Sequence, residues 1–442
     1  MAQTKRQMLT SVELYQDAKE VMPGGVTANI KHFPPHPIYM NYGEGAYLSD
    51  ADGNKYVDYL LSYGSMMLGH GHPEIKEAIH SQMEQSGTWL FGTPHELEVT
   101  YANKIKEYFP SIDLMRYTNS GTEATLLALR FAEAYTGKHK VAKFEGHYHG
   151  GYNEVLLSVN PEISEAGQKN NPNSVPSSKG ISAAQTNETI VLPFNDDHAF
   201  EILTEHASEI GAVVLEPIQG GFIPAEDDFM TKLRNITEEL NIVLIFDEVK
   251  TGFRTNLGGT QALYGIKPDL TVLGKVIGGG FPMGVVGGKR EILMVSSPVD
   301  EETTDVLKPK DVLFHSGTYN GHPMILAAGL RTINILENEL DHVLNRTEKL
   351  KTELESLFFK KGIAMQAVGN GSMFNVILSE KQIRNYRDYQ QSDMQTREKI
   401  DYELLNKGIY AKPLNRYSLS TCHKEAELEK TLNAYNEVLA EL

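Results

Sequence analysis

The sequence predicts an α/β fold with a mostly parallel sheet. A large central domain, 71–330, is accompanied by a small α+β domain drawn from both chain ends, 1–70 and 331–442. Two observations lead there. Short apolar runs over 212–217, 242–248 and 270–273 alternate with stretches of helical periodicity over 201–210 and 229–240, the pattern of right-handed βαβ units. The residues able to do chemistry follow the ends of those runs, where open α/β sheets place their ligands. At 442 residues the chain is long enough for two or three domains and a sizeable core.

Composition narrows the function classes. Lys+Arg 41 against Asp+Glu 58 gives a net charge of −17, which argues against general binding to nucleic acid or an anionic membrane but allows a small basic pocket. The single cysteine, Cys422, has no internal disulfide partner, and a reducing cytoplasm is the expected location. Met1 to Met8 is polar and basic, and no window reaches about 18 apolar residues, so neither a signal peptide nor a membrane span is expected.

Taken in order, 11–22 spaces Val12, Leu14, Tyr15, Ala18 and Val21 for a helix that stops at Pro23-Gly24-Gly25. Residues 26–45 read as an irregular loop, and 46–58 alternates about Asp52-Gly53 as a hairpin. The turn Leu68-Gly69-His70-Gly71-His72-Pro73 opens a helix over 74–85. His70 and His72 read as turn residues, since no acidic or cysteine partner stands at ligand spacing. A helix over 96–108 and a strand over 114–118 follow, and the strand runs through Asn119-Ser120-Gly121-Thr122 into a helix over 125–134. That junction has two readings. Free N–H groups and the positive end of the helix dipole would take an anion, or Ser and Thr merely cap the helix.

The strand 140–144 ends at Glu145-Gly146-His147-Tyr148-His149-Gly150. Tyr148 is suited to stack on a flat ring, and the glycines permit close backbone approach. His147 and His149 are no more expected to bind metal than the first histidine pair, and no metal is assigned. Residues 160–189 are rich in Asn, Ser, Pro and Gln, so they form either a mobile lid or a disordered loop. After the polar turn from Phe314 to Pro323, helices are expected over 324–336 and 341–360. Strands over 373–378 and 417–420 then alternate with helices over 394–407 and 425–439.

Lys275 stands at the end of the run Leu270-Thr271-Val272-Leu273-Gly274 and before Gly278-Gly279-Gly280. In isolation a lysine in such a turn is an exposed surface residue. The preceding strand, 242–246, ends in Asp247-Glu248-Val249, and that changes the reading. A strand-end lysine can leave water and act as a nucleophilic amine, while a strand-end carboxylate can keep a pyridine nitrogen protonated. Together these are what pyridoxal phosphate requires of a protein.

The ordered set Ser120-Gly121-Thr122, Tyr148-His149-Gly150, Glu216-Pro217, Asp247-Glu248-Val249-Lys250-Thr251-Gly252-Phe253-Arg254, Gly274-Lys275 and Gly317-Thr318 resembles the class III, fold-type-I pyridoxal-phosphate aminotransferases. The likeness covers nearly the whole chain. It is greatest to the glutamate-1-semialdehyde aminomutase branch, to which Pro23-Gly24-Gly25-Val26 and the segment 173–196 also point. The resemblance implies a large domain with a seven-stranded-type sheet and a pyridoxal 5'-phosphate cofactor. It implies that Lys275 binds the cofactor aldehyde and moves the proton, that Asp247 pairs with the ring nitrogen, and that Tyr148 and Val249 cover the two ring faces. Ser120, Gly121 and Thr122 would hold the phosphate, and Glu216 would lie near the lysine and the ring hydroxyl. Thr318 would reach the phosphate of a neighbouring subunit in a homodimer.

Three departures fall among the substrate residues. Lys31 stands where the aminomutase pattern has arginine, Tyr63 stands for a tryptophan, and a C-terminal Phe-Glu-Ala-Gly-Phe segment is replaced near Pro413 to Ser420. Lysine lacks the guanidinium fork, so Arg416 becomes the candidate carboxylate partner, with Lys31 secondary. The expected activity is amino-group exchange between an amino acid or amine and a carbonyl acceptor by a ping-pong mechanism. The alternative is glutamate-1-semialdehyde 2,1-aminomutase itself. A non-catalytic relative would be expected to have lost Lys275 or Asp247, and both are present.

Overall fold

The computed structural model describes residues 8–442, so the basic stretch 1–7 lies outside the described residues. The chain divides into two compact units. One holds the chain up to Lys76, Glu339–Gln382 and Gln390–Leu442, and the other holds Glu77–Asn338 together with the short segment Ile383–Tyr389. The boundaries expected at 70/71 and 330/331 thus move to 76/77 and 338/339. Both new boundaries lie inside continuous helices, Pro73–Ser86 and Pro323–Lys360, where composition gives no signal.

The larger unit is built on a seven-stranded sheet. In chain order its strands are β1 (Leu114–Thr118), β2 (Lys140–Phe144), β3 (Thr189–Leu192), β4 (Ile210–Leu215), β5 (Val243–Asp247), β6 (Leu270–Gly274) and β7 (Gly284–Gly288). They lie side by side as β1-β7-β6-β5-β4-β2-β3. Only β7 runs antiparallel to its neighbours, β6 and β1. The other six strands therefore end on one edge of the sheet. Both faces are covered, so the central strands read as continuous apolar runs; Ile210–Leu215 and Val243–Asp247 are buried throughout. Helix Gly121–Thr136 packs Leu127, Ala128 and Phe131 into the core that holds Val214, Ile245 and Val272.

Two of these strands were not expected. β7 is rich in glycine, a poor strand former, and is selected by crowding. A side chain at Gly284 or Gly288 would run into the Ser120 or Asp269 carbonyl. β3 lies in the polar tract 160–189 and just past it, and it pairs with Lys140–Phe144 as the sheet's last strand. The rest of that tract is largely irregular but hydrogen-bonded, with a short hairpin, Gly167–Gln168 with Asn171–Pro172, and the helix Ala183–Asn187 closed by a Ser182–Gln185 capping box. The two helices expected over 324–336 and 341–360 are one helix, Pro323–Lys360. Asn338-Glu339 contains no breaker, and buried Leu336, Leu340 and Val343 carry the apolar stripe through the junction.

The smaller unit contains a four-stranded sheet, in the order Met40–Glu44, Tyr47–Asp50, Lys55–Asp58 and Ile409–Tyr410, and a three-stranded sheet around Met373–Ile377. Tyr56, Tyr402, Leu405 and Tyr410 form one of its cores. Among the described residues no helix is long and apolar enough to cross a membrane.

Candidate active site

Strands β6, β5, β4 and β2 are adjacent, so the residues that follow them meet at one sheet edge. Lys275 follows β6, Asp247 closes β5, Glu216 follows β4, and the turn from Glu145 to Gly150 follows β2. β1 ends on the same edge and delivers Ser120, Gly121 and Thr122.

Asp247 is 4 % exposed. Its Oδ1 accepts the Val249 N–H at 3.1 Å, and its Oδ2 lies 2.7 Å from Nδ1 of His149, which is also buried. A buried carboxylate needs such donors, and His149 orients it. From sequence His149 was weighed only as a metal ligand, and its contact with Asp247 was not expected. Its neighbour His147 accepts the Glu216 N–H on Nδ1 at 3.0 Å. Burial first, then His149 and Lys143, push His147 well below the usual histidine range, so the ring is neutral. Lys143 is fully buried and donates to the His147 carbonyl at 2.9 Å. Burial lowers its ammonium to about 7 against the opposing pull of Glu216 and Glu145.

Lys275 has φ 51°, a left-handed conformation that non-glycine residues avoid, directly after the extended Gly274. Val249 packs against Gly121 and Gly274: a Cβ on Gly121 would lie 2.8 Å from Val249 Cγ1, and one on Gly274 would lie 3.2 Å away. Glycine at both positions is what lets Val249 sit between the helix start and the lysine strand.

Both readings of the Ser-Gly-Thr junction hold in part. Ser120 is the N-cap, its Oγ accepting the Glu123 N–H at 3.1 Å. Gly121 and Thr122 then occupy the first turn, where N–H groups have no acceptor within the helix and face the sheet edge with the positive end of the dipole. The helix starts at Gly121, four residues earlier than expected, because the cap lies at Ser120. Gly150 approaches so closely that a Cβ there would be 2.9 Å from Thr122 Cγ2, which brings the Tyr148 turn up to the same helix start.

Tyr148 is 45 % exposed, and its N–H donates to Glu216 Oε2 at 3.0 Å. Burial, then Asp247 and Glu216, raise its phenol. Glu216 pairs with Lys250, whose Nζ is in close contact with Oε1 and lies 5.5 Å from the Tyr148 ring centroid. In sequence only its position one residue beyond Val249 marks Lys250. Thr318 lies on an exposed turn beside Asn320, which bonds Asn119 at 3.0 Å.

The substrate candidates Lys31, Tyr63 and Arg416 belong to the smaller unit. Leu61, Ser62 and Tyr63 are three consecutive left-handed residues, with φ 48°, 51° and 58°. Strain of this kind persists only where the surroundings enforce it. Here Asp58 Oδ1 accepts the Leu60 and Leu61 N–H groups, the Tyr63 hydroxyl donates to Ile30 O at 2.7 Å, and Arg416 Nη2 donates to Tyr63 O at 3.2 Å. Lys31 and Tyr63 line a cavity of about 690 Å³ with Phe33, Met40 and Leu60. Lys31 Nζ donates to Thr27 Oγ1 at 2.7 Å. His70 has an acidic partner after all, Asp58 Oδ2 at 2.8 Å, supplied by the neighbouring hairpin strand. Among the described residues there is no group of three His, Cys, Asp or Glu placed to hold a metal ion.

The sheet-edge residues suit a flat, anionic, electron-poor ring. They offer open N–H groups for an anion, a buried carboxylate, a half-exposed aromatic face and a strand-end amine. Comparison with known proteins agrees. Residues 29–438 match the family described as Aminotransferase class-III. The chain is 40 % identical over 438 residues to a glutamate-1-semialdehyde 2,1-aminomutase of Ignicoccus hospitalis, covering 97 % of this chain and 98 % of the relative. Among solved structures, an omega-transaminase from Sphaerobacter thermophilus superposes with a TM-score of 0.91 at 34 % identity, covering 97 % of each chain. A β-phenylalanine aminotransferase from Variovorax paradoxus superposes with a TM-score of 0.83 at 32 % identity, covering 98 % of this chain and 94 % of its own.

Proposed function

The chain belongs to the class III aminotransferases, pyridoxal-phosphate-dependent enzymes of the transaminase and aminomutase type, and from that premise we propose that it exchanges an amino group between two different substrates. The donor is an amino acid or amine, the acceptor is a carbonyl compound, and the two react in turn by a ping-pong mechanism.

Bound at the sheet edge, pyridoxal phosphate supplies an electron sink for the bond that breaks at the substrate's amino carbon. Asp247 holds a negative charge for the ring nitrogen and so favours its protonated form, with the His149 N–H keeping the carboxylate in place. Gly121 and Thr122 present N–H groups to the phosphate, and the Ser120 cap keeps them oriented. Tyr148 and Val249 would cover the two faces of the ring. Lys275, at the end of its buried strand, would hold the cofactor through its amine. Its amine would also be the group that moves a proton at the substrate's amino carbon. Glu216 with Lys250 supplies a charge pair beside the ring.

The observation that carries the choice of transaminase is the rebuilt substrate set. Lys31 engages Thr27 as a single-point donor in place of a guanidinium fork, which leaves Arg416 as the proposed carboxylate partner. Structural neighbours that are transaminases support this reading. A second reading, the aminomutase reaction, is favoured by the relative in Ignicoccus hospitalis. Purified enzyme distinguishes them, because an aminomutase turns over glutamate-1-semialdehyde with no second substrate whereas a transaminase requires both partners.

We further propose that the working unit is a homodimer in which Thr318 completes the neighbour's phosphate site. Thr318 is exposed, and flanking Phe314 and Tyr319 are 68 % and 61 % exposed, an apolar surface of the kind a second subunit covers.

A further inference from the structure

Between the strand Met373–Ile377 and the helix Met394–Asn406, both in the smaller unit, the chain enters the larger unit for seven residues, Ile383–Tyr389. Three side chains of that segment fasten it there. Arg384 pairs with Glu226 through Nε and Nη2 at 2.6 and 2.9 Å, and the Tyr386 hydroxyl donates to Pro161 O at 2.9 Å. Arg387 makes a fork with Glu145, Nε to Oε2 at 2.8 Å and Nη2 to Oε1 at 2.9 Å, and also donates to Ala166 O and Gly167 O at 2.8 and 2.9 Å.

The pair is largely buried, Arg387 at 11 % and Glu145 at 6 % side-chain exposure. Unlike the exposed Arg384–Glu226 pair, it holds charges that have no ready alternative in water. Glu145 begins the turn that carries Tyr148 and His149. Its carbonyl accepts from Gln219 Nε2 at 3.1 Å, and the next residue, Gly146, donates to Ser158 O at 2.8 Å. Gly146 has φ 82°, and a Cβ there would lie 2.6 Å from Tyr386 Cβ, so this turn is shaped to receive the inserted segment. Arg387 therefore contacts both the first residue of the Tyr148 turn and the loop at Ala166-Gly167, the tract that in sequence reads as a lid.

We propose that Arg387 is a positioning residue for the reaction. By bracing Glu145 and the Ala166–Gly167 carbonyls at once, it fixes the turn that presents Tyr148 and His149 to the cofactor, and it ties the loop to that turn. The inference rests on family membership and the cofactor alone, whichever substrate is used. A lysine at 387 keeps one charge but cannot hold both carboxylate oxygens and both carbonyls.

The test compares Arg387→Lys, Glu145→Gln and Arg384→Met in the cofactor-loaded enzyme. Visible circular dichroism of the bound cofactor, steady-state kinetics and limited proteolysis within 160–189 are the readouts. Arg387→Lys should change the cofactor dichroism and raise cleavage in the loop. It should lower kcat about ten- to a hundredfold with a much smaller change in KM, the scale of losing a supporting hydrogen-bonded partner. Glu145→Gln should repeat the pattern and so covers the case in which Arg387→Lys does not fold. Arg384→Met should match the wild type in all three readouts. Unchanged dichroism and kcat in both Arg387→Lys and Glu145→Gln would overturn the proposal. So would equal losses in Arg384→Met, which would assign the effect to docking of the whole segment.

Discussion

Lys275 is held in a backbone conformation that costs a lysine about 1–2 kcal/mol, and it is held there at the end of a fully buried strand. Such strain is retained where position matters more than stability. Borohydride reduction of the holoenzyme followed by peptide mapping should find the cofactor on Lys275, and Asp247→Asn should fold yet be nearly inactive. Label on another lysine, or near-normal activity of Asp247→Asn, would remove these residues from the mechanism. The strand-end positions of Lys275 and Asp247 were legible in the sequence because each directly follows or closes an apolar run. His149 and Lys250 were not, since their roles arise from partners, Asp247 and Glu216, that only the sheet brings beside them. For Arg416 the structure adds a competing duty, its bond to the Tyr63 carbonyl in a strained turn. If it binds the substrate carboxylate, Arg416→Ala should raise KM for amino-acid donors by about one to two orders of magnitude and spare an uncharged amine. Equal losses for both donors would mean that it supports the turn instead.

At the scale of elements, the start of helix Gly121–Thr136 is where local structure and chemistry coincide. Gly121→Ala should fold but lose some thermal stability, because the clash of the new Cβ with Val249 outweighs alanine's better helix preference. Its Cβ would collide with Val249 and displace the first-turn N–H groups. Pyridoxal phosphate affinity, measured by equilibrium dialysis, should fall about tenfold or more, the scale of one charge-assisted hydrogen bond. Unchanged affinity would place the phosphate elsewhere. Elements with their own periodicity, such as Glu96–Tyr108 and Glu425–Ala440, were legible within a few residues. β7 was not, because its glycines answer to Ser120 and Asp269, far away in sequence. Nor was the unity of helix Pro323–Lys360, whose apolar stripe crosses a polar Glu-Asn-Glu stretch that reads as a break.

For the whole molecule, the proposed homodimer makes each active site dependent on two chains. Mixing inactive Lys275→Ala subunits with inactive Thr318→Ala subunits should restore partial activity on subunit exchange, since one site in the hybrid has both residues intact. An active monomer in sedimentation would contradict the arrangement.

The central claim, amino transfer between two separate substrates, is tested most directly by a half-reaction. Enzyme saturated with cofactor is given an amino donor with no acceptor, and both carbonyl product and cofactor absorbance are followed. The prediction is one equivalent of carbonyl product per subunit, a matching absorbance change, and then no further reaction until an acceptor is added. Sustained turnover of glutamate-1-semialdehyde as sole substrate, with no donor in the panel producing that single equivalent, would contradict it.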